Sequence, residues 1–105
     1  ASFTDLLIFS LPEDDQVLAY KIVNFFEAEK INAEVYPEPK KMNHQYTYAE
    51  KKDIRWGLFL NKVSCVEEFD KAPQRFKIKL KDMTNRTEDE IPLSEAVKKI
   101  RASKN

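Results

Sequence analysis

The sequence predicts an α/β domain, a three-layer α/β/α sandwich built on a mixed, mostly parallel five-stranded sheet. Short apolar runs alternate with longer segments of helical periodicity, an order that favours parallel strands joined by right-handed crossovers. A later segment alternates apolar and charged residues, as an antiparallel strand with one solvated face does. The chain of 105 residues is long enough for one hydrophobic core and too short for two. We therefore expect one domain over residues 1–105.

The first strand and the first helix have the clearest signals. Residues 6–11 form the apolar run LLIFSL, which ends before Pro12. This pattern predicts a strand buried on both faces. Acidic residues at 13–15 suit the positive end of a helix dipole, so a helix is expected from there to about Lys30. Its buried face carries apolar residues at helical spacing, namely Leu18, Ile22, Phe25 and Phe26.

A second strand, a second helix and a third strand follow. Residues 31–35 alternate apolar and polar side chains, which predicts a strand, and prolines at 37 and 39 end it. Residues 40–53 are predicted to be a helix whose buried side holds Met42, Tyr46 and Ala49. The apolar run 54–60 predicts a central strand, in which Gly57 indicates close approach by a neighbouring group.

The last third of the chain contains weaker signals. Val66 and Phe69 indicate one helical turn within the otherwise ambiguous residues 62–74. Apolar residues at 76, 78 and 80 alternate with lysines at 77, 79 and 81, which predicts an antiparallel edge strand whose lysine row deters aggregation. A short strand is expected at 91–93. Ser94 is the predicted N-cap of a final helix, and residues 101–105 are predicted to be frayed.

The composition excludes several classes of function. The single glycine rules out the glycine-rich loops that cradle phosphate in dinucleotide-binding and P-loop proteins. His44 and Cys65 are the only residues of their types, so we expect neither a zinc site nor an activated thiol. A lone cysteine also fits a reducing compartment, and no apolar run approaches the roughly 20 residues of a membrane helix. We expect a cytoplasmic protein with no catalytic residue or metal in this chain.

The charge is balanced overall and unevenly distributed. Residues 39–62 hold six Lys or Arg and two Asp or Glu, whereas residues 1–38 hold two and eight. A basic middle segment could form a local positive surface that attracts phosphate. The alternative is that these charges mix once the chain folds, and the sequence leaves both open.

The second predicted helix is the best candidate for an RNA-binding surface. Lys40 and Lys41 could contact phosphates, while Asn43 and Gln45 could bond base edges. Tyr36 or Tyr46 could stack on an unpaired base, although Tyr46 fits the core better. The rival basic surface is the lysine row at 77, 79 and 81, which alternation on a strand already explains.

The same stretch carries a resemblance to a known family. Residues 40–61 read KKMNHQYTYAEKKDIRWGLFLN, and this pattern resembles the second helix and third strand of class IIa aminoacyl-tRNA synthetase anticodon-binding domains. The opening LLIFSLPEDDQ and the ending IPLSEAVKKI extend the resemblance over nearly the whole chain. It is nearest to the C-terminal anticodon-binding domain of histidyl-tRNA synthetase. Two departures are Asn43–His44, where the family often has a basic pair, and Asn61, where it usually has glycine.

The resemblance implies a function in translation. It implies recognition of the tRNA anticodon by one domain of a longer histidine–tRNA ligase, with ATP and magnesium bound in a separate catalytic domain and a homodimeric parent enzyme. It adds Ser10, Glu13 and Glu38 to Lys40 near the RNA. The absence of an initiator Met also leads us to expect a fragment. Two alternatives stay open: a synthetase-derived interaction module that has lost RNA binding, and a flavodoxin-like domain, which the missing glycines disfavour.

Overall fold

The computed structural model describes residues 3–39, 41–61 and 65–104. Within those ranges it contains five strands, four α-helices and a short 3₁₀ helix. The elements are β1 (Leu6–Ile8), α1 (Gln16–Ala28), β2 (Ala33–Val35), α2 (Met42–Lys51), β3 (Trp56–Phe59), α3 (Val66–Lys71), the 3₁₀ turn (Pro73–Arg75), β4 (Lys77–Asp82), β5 (Thr87–Pro92) and α4 (Leu93–Ser103).

The sheet is mixed, with strand order β2-β1-β3-β4-β5. β1 lies between β2 and β3 and pairs in parallel with both of them. β4 is antiparallel to both β3 and β5. Among the described strands, four therefore run in one direction and β4 alone runs in the other. This confirms the predicted mixed, mostly parallel five-stranded sheet.

Helices cover both faces of the sheet, which confirms the three-layer sandwich. The larger core lies beneath α1, α3 and α4, where Leu18, Phe26 and Ile100 pack against strand residues such as Leu58 and Ile78. The smaller core lies beneath α2, where Ala49 packs with Leu7, Phe9 and Ile54. Alternate residues of β1 enter opposite cores, because neighbouring side chains of a strand point to opposite faces. This double burial explains why residues 6–9 are continuously apolar.

The position of β4 differs from the prediction. β4 is not an edge strand, because β3 and β5 pair with its two sides. Two of its lysines lie opposite acidic residues of β5, Lys79 opposite Glu90 and Lys81 opposite Glu88. The lysine row thus faces a complementary acidic row, and β5 occupies the edge of the described sheet. The error arose because residues 87–90 of β5 are exposed and show no apolar pattern.

Both ends of α4 differ from the prediction. The helix begins at Leu93 after Pro92, so Ser94 lies inside its first turn and is not the N-cap. At the other end the helix continues to Ser103, whose Oγ accepts a hydrogen bond from Trp56 Nε1 at 2.9 Å. Lys104 then pairs with Asp5 at 3.2 Å. These contacts anchor the segment that was predicted to fray, while Asn105 lies outside the described residues.

Gly57 confirms the predicted close approach in β3. A Cβ atom placed there would lie 2.8 Å from Cε1 of Phe9 and 3.2 Å from Cε of Met83. We expect Gly57→Ala to lower the free energy of unfolding by about 1–3 kcal/mol, because side chains of a packed core must shift to admit the methyl group. Urea unfolding measures this change. The same substitution should cost less in a Phe9→Leu background, and equal costs in both backgrounds would contradict the assigned crowding.

Candidate nucleic-acid interface

The described residues that were predicted to contact RNA lie on the loops after two neighbouring strands and on the first turns of α2. The loop after β1 leads to α1 on one face of the sheet, and the loop after β2 leads to α2 on the other face. The connections of these neighbouring strands thus leave toward opposite faces, and open α/β sheets bind ligands outside the carboxyl ends of their strands at such points. The described residues of the two loops are 9–15 for the first and 36–39 with 41 for the second. We call the surface that these two loops form the switch-point crevice.

Ser10 ties three segments of the switch-point crevice together. Its backbone N–H donates to Oε1 of Gln45 at 2.8 Å, and its carbonyl oxygen accepts from Nε2 of Gln45 at 2.8 Å. Its side-chain Oγ donates to the carbonyl oxygen of Tyr36 at 2.6 Å. The loop after β1, the loop after β2 and helix α2 are therefore joined by hydrogen bonds through one serine.

The rest of the first loop is shaped by two aspartates. Asp14 accepts a hydrogen bond from the backbone N–H of Leu11 at 2.9 Å, which closes the turn. Partial burial raises the pKa of Asp14, although the bond from Leu11 acts in the opposite direction. Asp15 caps α1 by accepting from the N–H groups of Val17 and Leu18. This cap orients the start of α1 and leaves Glu13 exposed at the tip of the turn.

The second loop presents an aromatic ring and the first turn of α2. The half-buried ring of Tyr36 packs edge-on against Tyr48 with 5.3 Å between centroids. The phenol of Tyr48 donates to Oε1 of Glu34 at 2.7 Å, and this bond raises the pKa of Tyr48 to about 12. Tyr36 thus packs against a tyrosine, Tyr48, that is itself held in place by a hydrogen bond to Glu34.

The structure separates the predicted contact residues into two groups. Glu13, Glu38, Lys41 and Asn43 are exposed around the crevice, and Tyr36 is half-buried beside them. Lys40, which was predicted to contact phosphate, lies outside the described residues.

Ser10 and Gln45 form the second group, because they are buried. Gln45 has 0% exposed surface and Ser10 has 2%, and the amide of Gln45 is bonded to the backbone of Ser10. Direct RNA contact by these two side chains does not fit this arrangement, and we correct that assignment. The clue in the sequence was spacing, since Gln45 lies three residues after Met42 and four before Ala49, on the buried face of α2.

The charges around the crevice are mixed. The carboxyl groups of Glu13, Asp14 and Glu38 lie on the two loops, and Lys41 begins α2. A neighbouring cleft of about 230 Å³ separates the first loop from the end of β3, and Lys79 is among its lining residues. The described crevice is thus not a uniformly basic surface. The middle segment is basic in composition, but the charges around the crevice itself have both signs.

The rival lysine surface is largely occupied by contacts within the fold. Lys81 donates to the hydroxyl of Tyr46 at 3.0 Å and lies 4.7 Å from the centre of that ring. Tyr46 also packs on Phe9, with ring centroids 4.9 Å apart. Because Lys79 and Lys81 face glutamates across the β4–β5 ladder, we keep the structural explanation for this row.

Neither a metal centre nor a membrane span is found in the part of the chain that the structure describes. Over residues 3–39, 41–61 and 65–104, no three His, Cys, Asp or Glu side chains group as metal ligands. No helix in those ranges has the length and apolar character needed to cross a membrane. His44, the single histidine, is exposed on α2.

Comparison with known proteins identifies the family. The sequence model of the family described as "Anticodon binding domain" matches residues 5–103. The chain is 95% identical over its 105 residues to the histidine–tRNA ligase of Treponema denticola and covers 23% of that protein. It is 31% identical over 100 residues to the Treponema pallidum histidine–tRNA ligase, matching 95% of this chain and 21% of that protein.

Solved structures share the fold. The histidyl-tRNA synthetase of a Nostoc species superposes with a TM-score of 0.71 at 18% identity, over 99% of this chain and 23% of that one. The RNA-binding domain of threonyl-tRNA synthetase from Cryptosporidium parvum has a TM-score of 0.71 at 12% identity, over 96% of this chain and 24% of that one. The chain spans about a quarter of the relatives that it matches. From its sequence match and its fold together, this chain belongs to the anticodon-binding domain family.

Proposed function

We propose that this chain is the anticodon-binding domain of a histidine–tRNA ligase and that it binds the anticodon loop at the switch-point crevice. The observation that carries the site is the convergence of Glu13, Tyr36, Lys41 and Asn43 around two loops that the fold brings together. The rest of the parent protein would hold ATP and magnesium and would join histidine to the tRNA. We further propose that the parent enzyme is a cytoplasmic homodimer.

The mixed charge of the crevice suggests how the RNA lies. Carboxylates such as Glu13 repel phosphate and accept hydrogen bonds from base amino groups, as acidic side chains do from cytosine N4. Lysines contact phosphate without reading sequence. We therefore propose that the unpaired bases point toward the two loops, where Tyr36 offers a ring for stacking. The sugar–phosphate backbone would then follow the start of α2, beside Lys41.

Lys40 and Lys41, the pair that the sequence predicts to contact phosphate, provide the first test. We expect Lys40→Ala with Lys41→Ala to weaken binding of the anticodon stem-loop and to reduce the slope of log affinity against log salt by about 1.4, since each single-strand phosphate contact contributes about 0.7. Fluorescence anisotropy across a salt series measures both quantities. Thermal melting should show that the variant stays folded.

A matched variant controls for net charge in this test. Lys51→Ala with Lys52→Ala removes the same charge at the far end of α2, about 15 Å away at 1.5 Å per residue. It should change the salt slope less than the Lys40 and Lys41 pair does. Equal effects of the two pairs would overturn the placement of the RNA backbone.

A second candidate function is a protein-interaction module that has lost RNA binding. The acidic residues on both loops, Glu13, Asp14 and Glu38, are the observation that favours it. This alternative predicts that the folded chain shows no preference for the anticodon loop at any salt concentration. The same anisotropy series therefore separates the two functions.

A further inference from the structure

The hydrogen bonds between Gln45 and Ser10 join helix α2 to the first loop of the switch-point crevice. We infer that these two buried residues are positioning residues for RNA recognition, which hold the two loops of the switch-point crevice in register. This inference rests on the proposed function, because it assigns how that same site is kept in its reading geometry. Neither residue would touch the RNA; both would act through Glu13 and Tyr36.

The bonds to Gln45 hold the first loop immediately after its last hydrogen bond to the sheet. The ladder between β1 and β3 closes with the bond from the N–H of Phe9 to the carbonyl oxygen of Leu58. Ser10 is the next residue, and both of its backbone groups bond to the one amide of Gln45. A backbone held through both its N–H and its C=O cannot slide by one residue without losing both bonds. The amide thus determines where the turn carrying Glu13 begins.

The second loop is tied to the first through the same serine. Oγ of Ser10 donates to the carbonyl oxygen of Tyr36, and the N–H of Tyr36 donates to the carbonyl oxygen of Ile8. Tyr36 is therefore held by β1 on one side and by Ser10 on the other. Any shift of Ser10 moves the backbone of Tyr36 and so moves the ring that we expect to stack on a base.

The hydrogen bonds between Ser10 and Gln45 lie in buried surroundings, where a loss of hydrogen-bond geometry is costly. α2 packs here on Leu7, Phe9 and Ile54, all of which are buried. In such a low-dielectric setting a satisfied hydrogen bond is strong and an unsatisfied polar group is costly. A leucine at position 45 would keep most of the packing of α2, but it would leave both backbone groups of Ser10 without this partner and the first loop unconnected to α2. The polar residue thus supplies a specified arrangement that packing alone does not.

The experiment uses Gln45→Leu in the full chain of 105 residues. This substitution keeps most of the side-chain volume and removes both bonds to Ser10. We measure binding of the tRNA-His anticodon stem-loop and of a scrambled-loop control. We expect the preference for the cognate loop to fall about tenfold, the equivalent of one good base contact. Binding of the scrambled loop and the salt slope should not change, because Lys41 remains.

A destabilised variant at the other end of the sheet separates positioning from stability. Asp82→Ala removes another buried polar side chain, at the end of β4 beside the turn to β5, and should keep the cognate preference at temperatures where it is folded. Ser10→Ala removes only the bond to Tyr36 and should give a partial loss of preference. It also carries the test if Gln45→Leu does not fold.

Three results would overturn the inference. The first is a folded Gln45→Leu variant that keeps the wild-type preference, and, should that variant not fold, an unchanged preference in Ser10→Ala has the same force. The second is an equal loss of preference in Asp82→Ala, which would make the effect one of stability. The third is a wild-type chain without any preference, which would remove the proposed function itself and is distinguishable from the other two.

Discussion

Replacing Asp82 by alanine is expected to lower the free energy of unfolding by about 2–4 kcal/mol, the range for a buried, charged acceptor that leaves its partners unpaired. Arg55 donates to this carboxylate through Nε at 3.1 Å and Nη2 at 3.0 Å. The backbone N–H groups of Thr84 and Asn85 and the amide of Asn85 donate to it as well. Asp82 thus holds the β4–β5 turn, where Arg86 has a φ of 57°. Urea unfolding near neutral pH measures the loss.

The contribution of Asp82 should also depend on pH. The hydrogen bonds from Arg55, followed by those from Asn85 and Thr84, lower the pKa of Asp82 below its ordinary value. A carboxyl group whose folded pKa is lowered stabilises the fold above its unfolded pKa of about 3.9 and loses that contribution as the pH falls through the folded pKa. The difference between wild type and Asp82→Ala should therefore shrink below about pH 4.

A neighbouring aspartate serves as the control for that experiment. Asp89 on β5 forms an ion pair with Lys99 at 3.1 Å, and both side chains are exposed. Asp89→Ala should change stability by less than about 1 kcal/mol, as exposed ion pairs do. If Asp82→Ala were as mild as Asp89→Ala, the assigned role of the carboxylate in the turn would be wrong.

Changing Gln45 to glutamate should make stability depend on pH in a specific way. The amide both accepts from and donates to the backbone of Ser10, whereas a carboxylate can only accept. Near neutral pH we expect a loss of about 2–4 kcal/mol, because a buried charge faces the carbonyl oxygen of Ser10. Burial raises the pKa of the introduced carboxyl group, and its protonated form can again donate.

The raised pKa of the introduced carboxyl group determines whether the stability loss grows or shrinks with pH. A carboxyl group whose folded pKa lies above its unfolded value of about 4.3 is best tolerated below that value and costs stability as the pH rises through the folded pKa. The difference between wild type and Gln45→Glu should thus be smallest near pH 4 and larger at neutral pH. Urea unfolding across this range is the measurement, and a constant difference would contradict the hydrogen-bond assignment.

An exposed amide on the same helix gives the matched control. Asn43→Asp makes the same chemical change in the first turn of α2, where the side chain is exposed. It should be neutral or stabilising by a few tenths of a kcal/mol, because an acidic group interacts favourably with the N-terminus of a helix. A large loss in this variant would show that the effect at position 45 is not specific to burial.

Local pattern in the sequence was sufficient to predict the parallel half of the fold. The apolar runs around Leu7 and Leu58 and the helical spacing around Ile22 each carry their own periodicity, and each element formed within its predicted range, with shorter bounds. The last strand was less visible, since most of β5 is exposed and polar. Without β5, the lysine alternation of β4 was assigned to an edge. Only the pairing of distant segments reveals that those lysines face glutamates.

The two loops that carry the candidate residues were predicted from the element order, whereas the burial of individual side chains was not. The loops after β1 and β2 follow from the strand order, which the element pattern already implied. The burial of Gln45 was missed, because a glutamine beside Asn43 and His44 looks like part of a polar surface, although its helical spacing indicated the buried face. Its bonds to Ser10 depend on how α2 packs over Phe9 and Ile54, which is a tertiary property. The same holds for Ser10.

The central claim is that this chain reads an anticodon loop at the switch-point crevice. The most direct test is the binding of the folded 105-residue chain to the tRNA-His anticodon stem-loop and to a scrambled-loop control over a salt series. We predict a preference for the cognate loop that persists as rising salt weakens both affinities, since base contacts are less salt-dependent than phosphate contacts. Equal affinity for the two loops, or no binding by the folded chain, would contradict the claim.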